Sequence, residues 1–228
     1  MIIMTGASGG IGASIISSLA KLDDIIAIYN NKPLIIENVE NIDWIKVDLS
    51  SEREIKSFYN SIKGKITKIT LIHAAAITKD KLAWQLDSAD WRDVLDVNLN
   101  GNFLLTKELI IPMIKESWGR IIHFSSITAS RGSIGTLAYS ASKSGILGMS
   151  KVLAHEYGRF GITSNVITPG YLDTGLINLL DENAKAKILS EIPIGKFGDP
   201  GNVVNAIDFL MRSEYVNGSS ININGGID

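Results

Sequence analysis

Seven short runs rich in isoleucine and valine, separated by amphipathic stretches, constrain the fold of this 228-residue chain more than any other feature. They are IIM (2–4), IIAIY (25–29), WIKV (44–47), ITLIHAA (69–75), RIIHFSS (120–126), TSNVITPG (163–170) and SSININGG (219–226). Several lack a polar alternation, as strands buried on both faces must. Helical periodicity fills the intervals at about 10–21, 51–63, 88–117, 139–158 and 200–211. Strand and helix in turn predict an α/β fold: a doubly wound parallel sheet of about seven strands, helices on both faces, joined by right-handed crossovers. No linker, repeat or low-complexity segment divides the chain, so one domain over 1–228 is expected. Two segments depart from the rhythm. Residues 30–43 are short and carry Pro33, so their helix is expected to shrink to a turn. Residues 171–199 add a helical insertion of the kind that covers ligand sites at the carboxyl ends of parallel strands.

Composition excludes several functions. The net charge of -2, with acids and bases interspersed, leaves no basic face for nucleic acid. The absence of cysteine removes disulfides, thiolate metal sites and a Cys nucleophile, and fits a reducing cytoplasm. The opening MIIMTGASGG has no basic stretch of a signal peptide, and no apolar run approaches the ~20 residues of a membrane span.

Between the first strand and first helix lies MTGASGGIGASI, with Gly6, Gly10 and Gly12 spaced G-x-x-x-G-x-G. Glycines here permit a tight turn and close approach of backbone to phosphate, and the helix amino terminus offers free N–H groups to a pyrophosphate. Ser8 and Ile11 share this turn. The T-G-x-x-x-G-x-G pattern resembles the short-chain dehydrogenase/reductase family, a Rossmann-like fold. Four further motifs stand at that family's spacing: Tyr139-Ser-Ala-Ser-Lys143, Ser126 thirteen positions earlier, Asn98 in DVNLNG, and Pro169-Gly170 with Thr174 beyond. The ending ININGG resembles its last strand. The resemblance spans essentially the whole chain, and AITKD, GRIIHFSS and ITPGYLDT are most similar to the β-ketoacyl-carrier-protein reductases of fatty-acid synthesis.

The resemblance implies carbonyl reduction by a nicotinamide cofactor with Asn98, Ser126, Tyr139 and Lys143 as the catalytic group. Tyr139 and Lys143 are four apart and share a helix face. A tyrosine of pKa ~10 is an acid whose phenolate a nearby ammonium favours, so Lys143 is expected to lower the Tyr139 pKa. Tyr139 is then the general acid/base. Ser126 holds the substrate oxygen, although Ser125 beside it competes for that role and strand alternation admits one of them on a given face. By resemblance, Lys143 also holds the nicotinamide ribose and Asn98 a water leading to solvent.

For the cofactor, the second strand ends at Asn30, Asn31 and Lys32, with no acid until Glu37. An acid there would bind the adenosine ribose and repel a 2′-phosphate, so NADP(H) is favoured over NAD(H); Gly9, where many NADP-dependent relatives are basic, points the other way. By resemblance Asp48 and Leu49 contact adenine, Ala74 and Ala75 adenosine, and Pro169, Gly170, Leu172 and Thr174 the nicotinamide end. The family's Asn-Asn-Ala-Gly is His73-Ala74-Ala75-Ala76 here. His73, His123 and His155 read as locally hydrogen-bonded residues, and no metal site is expected.

Substrate is expected over 77–83, 127–136 and 171–195, walled by Ile127, Leu137, Leu172, Leu176, Ile177, Leu179 and Leu180. That favours an acyl chain or small ketone, and the resemblance implies a 3-oxoacyl thioester on acyl carrier protein; a sugar derivative or secondary metabolite is the alternative, and a non-catalytic dinucleotide sensor a third. The family's two carrier-docking arginines fall at Ser117 and Phe160, leaving Lys115, Arg120 and Arg159 as substitutes. The resemblance also implies a homotetramer or homodimer through helices 88–117 and 139–158.

Overall fold

The computed structural model describes residues 1–36, 39–174, 177 and 181–227. Its strands are β1 (Ile2–Thr5), β2 (Ile25–Tyr29), β3 (Ile42–Lys46), β4 (Thr70–His73), β5 (Gly119–Phe124), β6 (Ile162–Pro169) and β7 (Ser220–Ile223). The helices are α1 (Gly10–Leu19), α2 (Glu52–Ile62), α3 (Ser88–Leu95), α4 (Gly101–Glu116), α5 (Thr128–Arg131), α6 (Leu137–Tyr157), α7 (Glu182–Glu191) and α8 (Gly201–Arg212). All seven strands pair in parallel, in the order β3-β2-β1-β4-β5-β6-β7. The order reverses between β1 and β4, and a crevice opens there at the carboxyl ends.

Alternation along the strands supplies two cores. Ile2 and Met4 face α1 and α8, packing with Ile15, Ile16, Leu19, Val203, Ile207 and Leu210. Ile3 faces the other way, toward Ile55, Phe58 and Ile62 of α2 and Leu105, Leu109 and Met113 of α4. Helix starts are capped where the sequence provides a small acceptor. Ser51 accepts from Glu54 N at 3.3 Å, Asp87 from Asp90 N at 2.8 Å and Asp181 from Ala184 N at 2.8 Å, each worth about 1 kcal/mol.

The irregular segments behave as expected in part. No helix forms among the described residues of 30–41, and the insertion carries α7. Leu176, Leu179, Leu180 and Glu37 lie outside the described residues. The single helix expected over 88–117 is instead α3, a π-helical turn at Asp96–Asn100, and α4. Among the described residues no helix is long and apolar enough to cross a membrane, and no three His, Cys, Asp or Glu side chains gather as metal ligands.

Candidate active site

A cleft of about 700 Å³ opens over the crevice, bordered by the β1–α1 turn, the ends of β2, β4, β5 and β6, and the start of α6. The turn is built by its glycines. Gly6 has φ +65°, and a Cβ there would approach Ala75 Cα to 2.6 Å. Gly10 opens α1 after Gly9, with no side chain capping that end. The first-turn N–H groups therefore face the cleft beside Ser8 and Ile11, a cradle that fits a pyrophosphate. Gly12 does not border the cleft; it is buried, and a Cβ on it would collide with Gly6 O. It serves the turn's packing rather than direct contact.

The β2 and β4 side of the cleft carries the residues that the resemblance assigns to adenosine. Asn30, Asn31 and Lys32 are exposed and border the cleft past β2, and Asp48, Leu49, Ala74 and Ala75 form the floor. One Asp48 oxygen is occupied by Ser50, accepting from its N at 2.9 Å and its Oγ at 2.7 Å. Ala75 N donates to Thr5 Oγ1 at 3.2 Å, which holds the floor to β1 without the asparagines of the family pattern.

Pro169 and Gly170 border the cleft, but Leu172 and Thr174 do not. Leu172 is 4% exposed and bridges Gly198, and Thr174 N turns back to Leu172 O at 2.8 Å. This segment is pinned into the core. Ile127 likewise packs with Ile192 and Ile227, while Leu137 stays exposed. Ile127 and Leu172 are thus core residues rather than substrate walls.

Ser126, Tyr139 and Lys143 all border the one cleft. Ser126 Oγ accepts from Thr128 N at 3.2 Å and Thr128 Oγ1 at 3.1 Å, which leaves its own proton free to donate. Ser125 is buried instead, its Oγ donating to Lys143 O at 3.0 Å. Lys143 is 2% exposed; Nζ donates to Phe124 O at 2.8 Å and sits 5.7 Å from the Tyr139 ring centroid. Burial pushes its pKa down to about 8. The expected lowering of Tyr139 is not found. Burial raises its pKa above the usual value, the nearby Ser126 hydroxyl works against the rise and the Asp80 carboxylate adds to it. The lysine ammonium lies at the ring and is turned onto a backbone carbonyl, so desolvation outweighs it.

Asn98 is fully buried and away from the cleft wall. Its Oδ1 accepts from Ile77 N at 2.8 Å, and its Nδ2 donates to Ile77 O at 3.0 Å and Ser142 Oγ at 3.1 Å. Ser142 Oγ in turn donates to Tyr139 O at 2.7 Å. The π-helical turn aims Asn98 inward, where it ties the loop after β4 to α6. Ile77, inside the 77–83 stretch expected over the substrate, borders the cleft at this tie; Val97 borders it too, and nothing local in the sequence marks that residue. His73 and His123 are locally bonded as expected, to Thr106 and Ser164, whereas His155 is exposed and makes no side-chain hydrogen bond among the described residues.

The carrier-docking substitutes fare poorly. Arg120 is 4% exposed and spent on structure: its guanidinium donates to Met211 O, Gly119 O and Gly161 O and lies 4.7 Å from the Trp118 ring. Lys115, Ser117, Arg159 and Phe160 precede β5 and β6, at the sheet edge opposite the cleft.

Comparison with known proteins agrees with this geometry. The sequence model described as short chain dehydrogenase matches residues 1–185. The chain is 34% identical to the 3-oxoacyl-(acyl-carrier-protein) reductase FabG of Aquifex aeolicus (strain VF5), over 99% of this chain and 96% of that protein. It is 32% identical to the protein of the same name from Escherichia coli (strain K12), with 99% and 96% covered, and 34% identical to Nodulation protein G of Rhizobium sp. (strain N33), with 99% and 95% covered. With a parallel Rossmann-like sheet and a glycine turn at its switch point, the chain belongs to the short-chain dehydrogenase/reductase family, as an NAD(P)-dependent oxidoreductase similar to the 3-oxoacyl-(acyl-carrier-protein) reductases.

Proposed function

We propose that this protein reduces a ketone to a secondary alcohol with NADPH, and that the ketone is a 3-oxoacyl thioester. The carrying observation is that Ser126, Tyr139 and Lys143 border the same cleft as the glycine turn. The nicotinamide, when bound, supplies the hydride to the carbonyl carbon. Ser126 donates a hydrogen bond to the carbonyl oxygen and keeps its proton, and Tyr139 transfers its phenol proton to that oxygen as it gains charge, leaving the alcohol and a phenolate. A Tyr139 pKa above the usual value keeps the phenol protonated near neutrality, the state an acid in the reductive direction needs. Lys143, charged below about pH 8, stabilises the phenolate left behind and holds the ribose. Asn98 positions the loop at Ile77 and, through Ser142, the α6 turn that carries Tyr139.

NADPH is supported by Asn30, Asn31 and Lys32, which border the cleft with no carboxylate among them. The segment around 171–199, including α7, serves as the substrate lid. Exposed Phe103 and Ile111 on α4 and Val152 on α6 support a homodimer or homotetramer through these helices. A second reading, a ketone free of any carrier protein, is favoured by the buried guanidinium of Arg120.

Turnover with NADPH and NADH on an acetoacetyl thioester, free and carrier-bound, and on simple ketones tests these statements. The expected result is higher catalytic efficiency with NADPH and thioester. Preference for NADH would overturn the cofactor assignment, and activity on ketones alone the substrate.

A further inference from the structure

Behind the cleft lies a polar layer of which the proposed function uses only one end, Asn98 with Ser142. Asn98, Asn102 and Thr106 are four apart and form one stripe facing the sheet, each at most 3% exposed. Both ends of the stripe are bonded, Asn98 Nδ2 to Ser142 Oγ at 3.1 Å and Thr106 Oγ1 to His73 Nε2 at 2.9 Å. His73 stacks on His123 with ring centroids 5.0 Å and planes 9° apart. His123 Nε2 reaches Ser164 Oγ at 3.3 Å, and Ser164 Oγ meets Ser150 Oγ at 2.9 Å.

The middle of this layer is bare. Asn102 Nδ2 and Oδ1, His73 Nδ1 and His123 Nδ1 have no hydrogen-bond partner among the described residues, although all three residues are fully buried. The Asn102 amide is near enough to His73 to oppose part of the fall in its pKa, yet neither amide atom attains hydrogen-bond geometry. A buried polar atom without a partner costs its full desolvation, and four together rival the stability of a whole domain. Water is the ligand that resolves this. It both donates and accepts, so it serves the two amide atoms and either imidazole tautomer. Thr70 Oγ1 is also unpartnered, but it follows Ile72 onto the opposite face of the sheet.

We propose that Asn102, His73 and His123 enclose a bound-water site beside Lys143, and that this interior water sets how far the lysine ammonium is desolvated. Asn102 is thereby a positioning residue acting through Lys143, a role that rests on the catalytic reading of Lys143 given above. Lys143 Nζ donates to Phe124 O at 2.8 Å, one residue along β5 from His123, and burial and this charge together lower the pKa of both imidazoles. Among the described residues, the titratable groups acting on this space are Lys143 of α6, His73 of β4 and His123 of β5. The facing residues of α4 and β6 are the neutral Asn102, Thr106 and Ser164.

A crystal structure of the full chain at atomic resolution is expected to show ordered water within hydrogen-bond distance of the Asn102 amide and of at least one Nδ1. A dry interior, or Asn102 bonded directly to His73, overturns the proposal. Asn102→Leu, close in volume and apolar, is expected to expel the water and move the alkaline limb of the kcat profile down by about half to one pH unit. Cofactor KM stays within about twofold because the residue does not border the cleft, and Asn102→Ser restores the limb. An unmoved limb overturns the proposal, and should Asn102→Leu fail to fold, the water in the parent protein decides. Water in place without turnover on any carbonyl supports the site and counts against the proposed function instead.

Discussion

The two faces of the sheet bury their residues to different ends. On the α1/α8 side, an apolar cluster runs from Ile2 and Met4 to Ile207 and Leu210, and the buried polar Thr70, Arg120 and Asn165 on that face do not border the cleft. On the α2/α4/α6 side, the region over β1 and β2 is equally apolar, but over β4, β5 and β6 it holds Asn98, His73, His123, Ser164, Ser150 and Lys143 at 2% exposure or less. One face contributes cohesion through removal of apolar area from water. The other gives up part of that gain to hold dipoles and one ammonium behind the cleft. The difference teaches where stability and chemistry can be separated, and four changes test it.

Acid should expose the contrast most strongly. His123 has its pKa pushed from 6.5 down to about 3 by burial and by Lys143, and His73 is lowered in the same direction. Between those values the unfolded chain holds more protons than the folded one. Stability therefore falls as pH drops from about 6.5 toward 3, by up to roughly 5 kcal/mol from His123 alone. Urea unfolding against pH measures it, and His123→Asn is expected to flatten the slope. Equal slopes in the two proteins would break the comparison.

Tyr139→Phe removes the proposed acid while keeping the ring. Turnover is expected to fall about a thousandfold with the fold intact by circular dichroism. Full turnover would show that the polar face does not carry the chemistry. On the apolar face, Ile16→Ala is expected to cost about 3 kcal/mol of stability while leaving kcat within about twofold at a temperature where the protein stays folded. A large kcat loss would mean the two faces are coupled.

Lys143→Met gives the smallest stability effect and the opposite sign. Below about pH 8 the wild-type lysine is charged and buried, so the folded state bears a cost that vanishes as pH rises from about 8 toward 10.5. Removing the amine relieves that cost but leaves Phe124 O without its donor. The net expectation is about 2 kcal/mol of added stability at pH 7, with turnover lost. A destabilised variant would show the lysine to be a structural asset.

Much of this was legible along the chain. The seven strands lie within a few residues of the Ile/Val runs, because strands covered on both faces need continuous apolar side chains. The glycine turn, Ser126, Tyr139 and Lys143 could be placed by spacing, since each depends on a local element. The π-helical turn at Asp96–Asn100 could not, because one wider turn leaves a helical pattern nearly unchanged. Nor could the burial of Leu172 and Thr174, which is set by Gly198, distant in sequence.

The sequence by itself determined the α/β order, the switch-point turn and the identity of the residues that meet there, because these follow from periodicity and short-range spacing. The tertiary structure alone decided which way Lys143 points, that burial raises Tyr139, that Arg120 is a structural residue, and that His73, His123 and Asn102 share one buried space. Those outcomes depend on which groups lose water together, and desolvation is a property of neighbours brought from β4, β5, α4 and α6, separated in the chain and adjacent only in the fold.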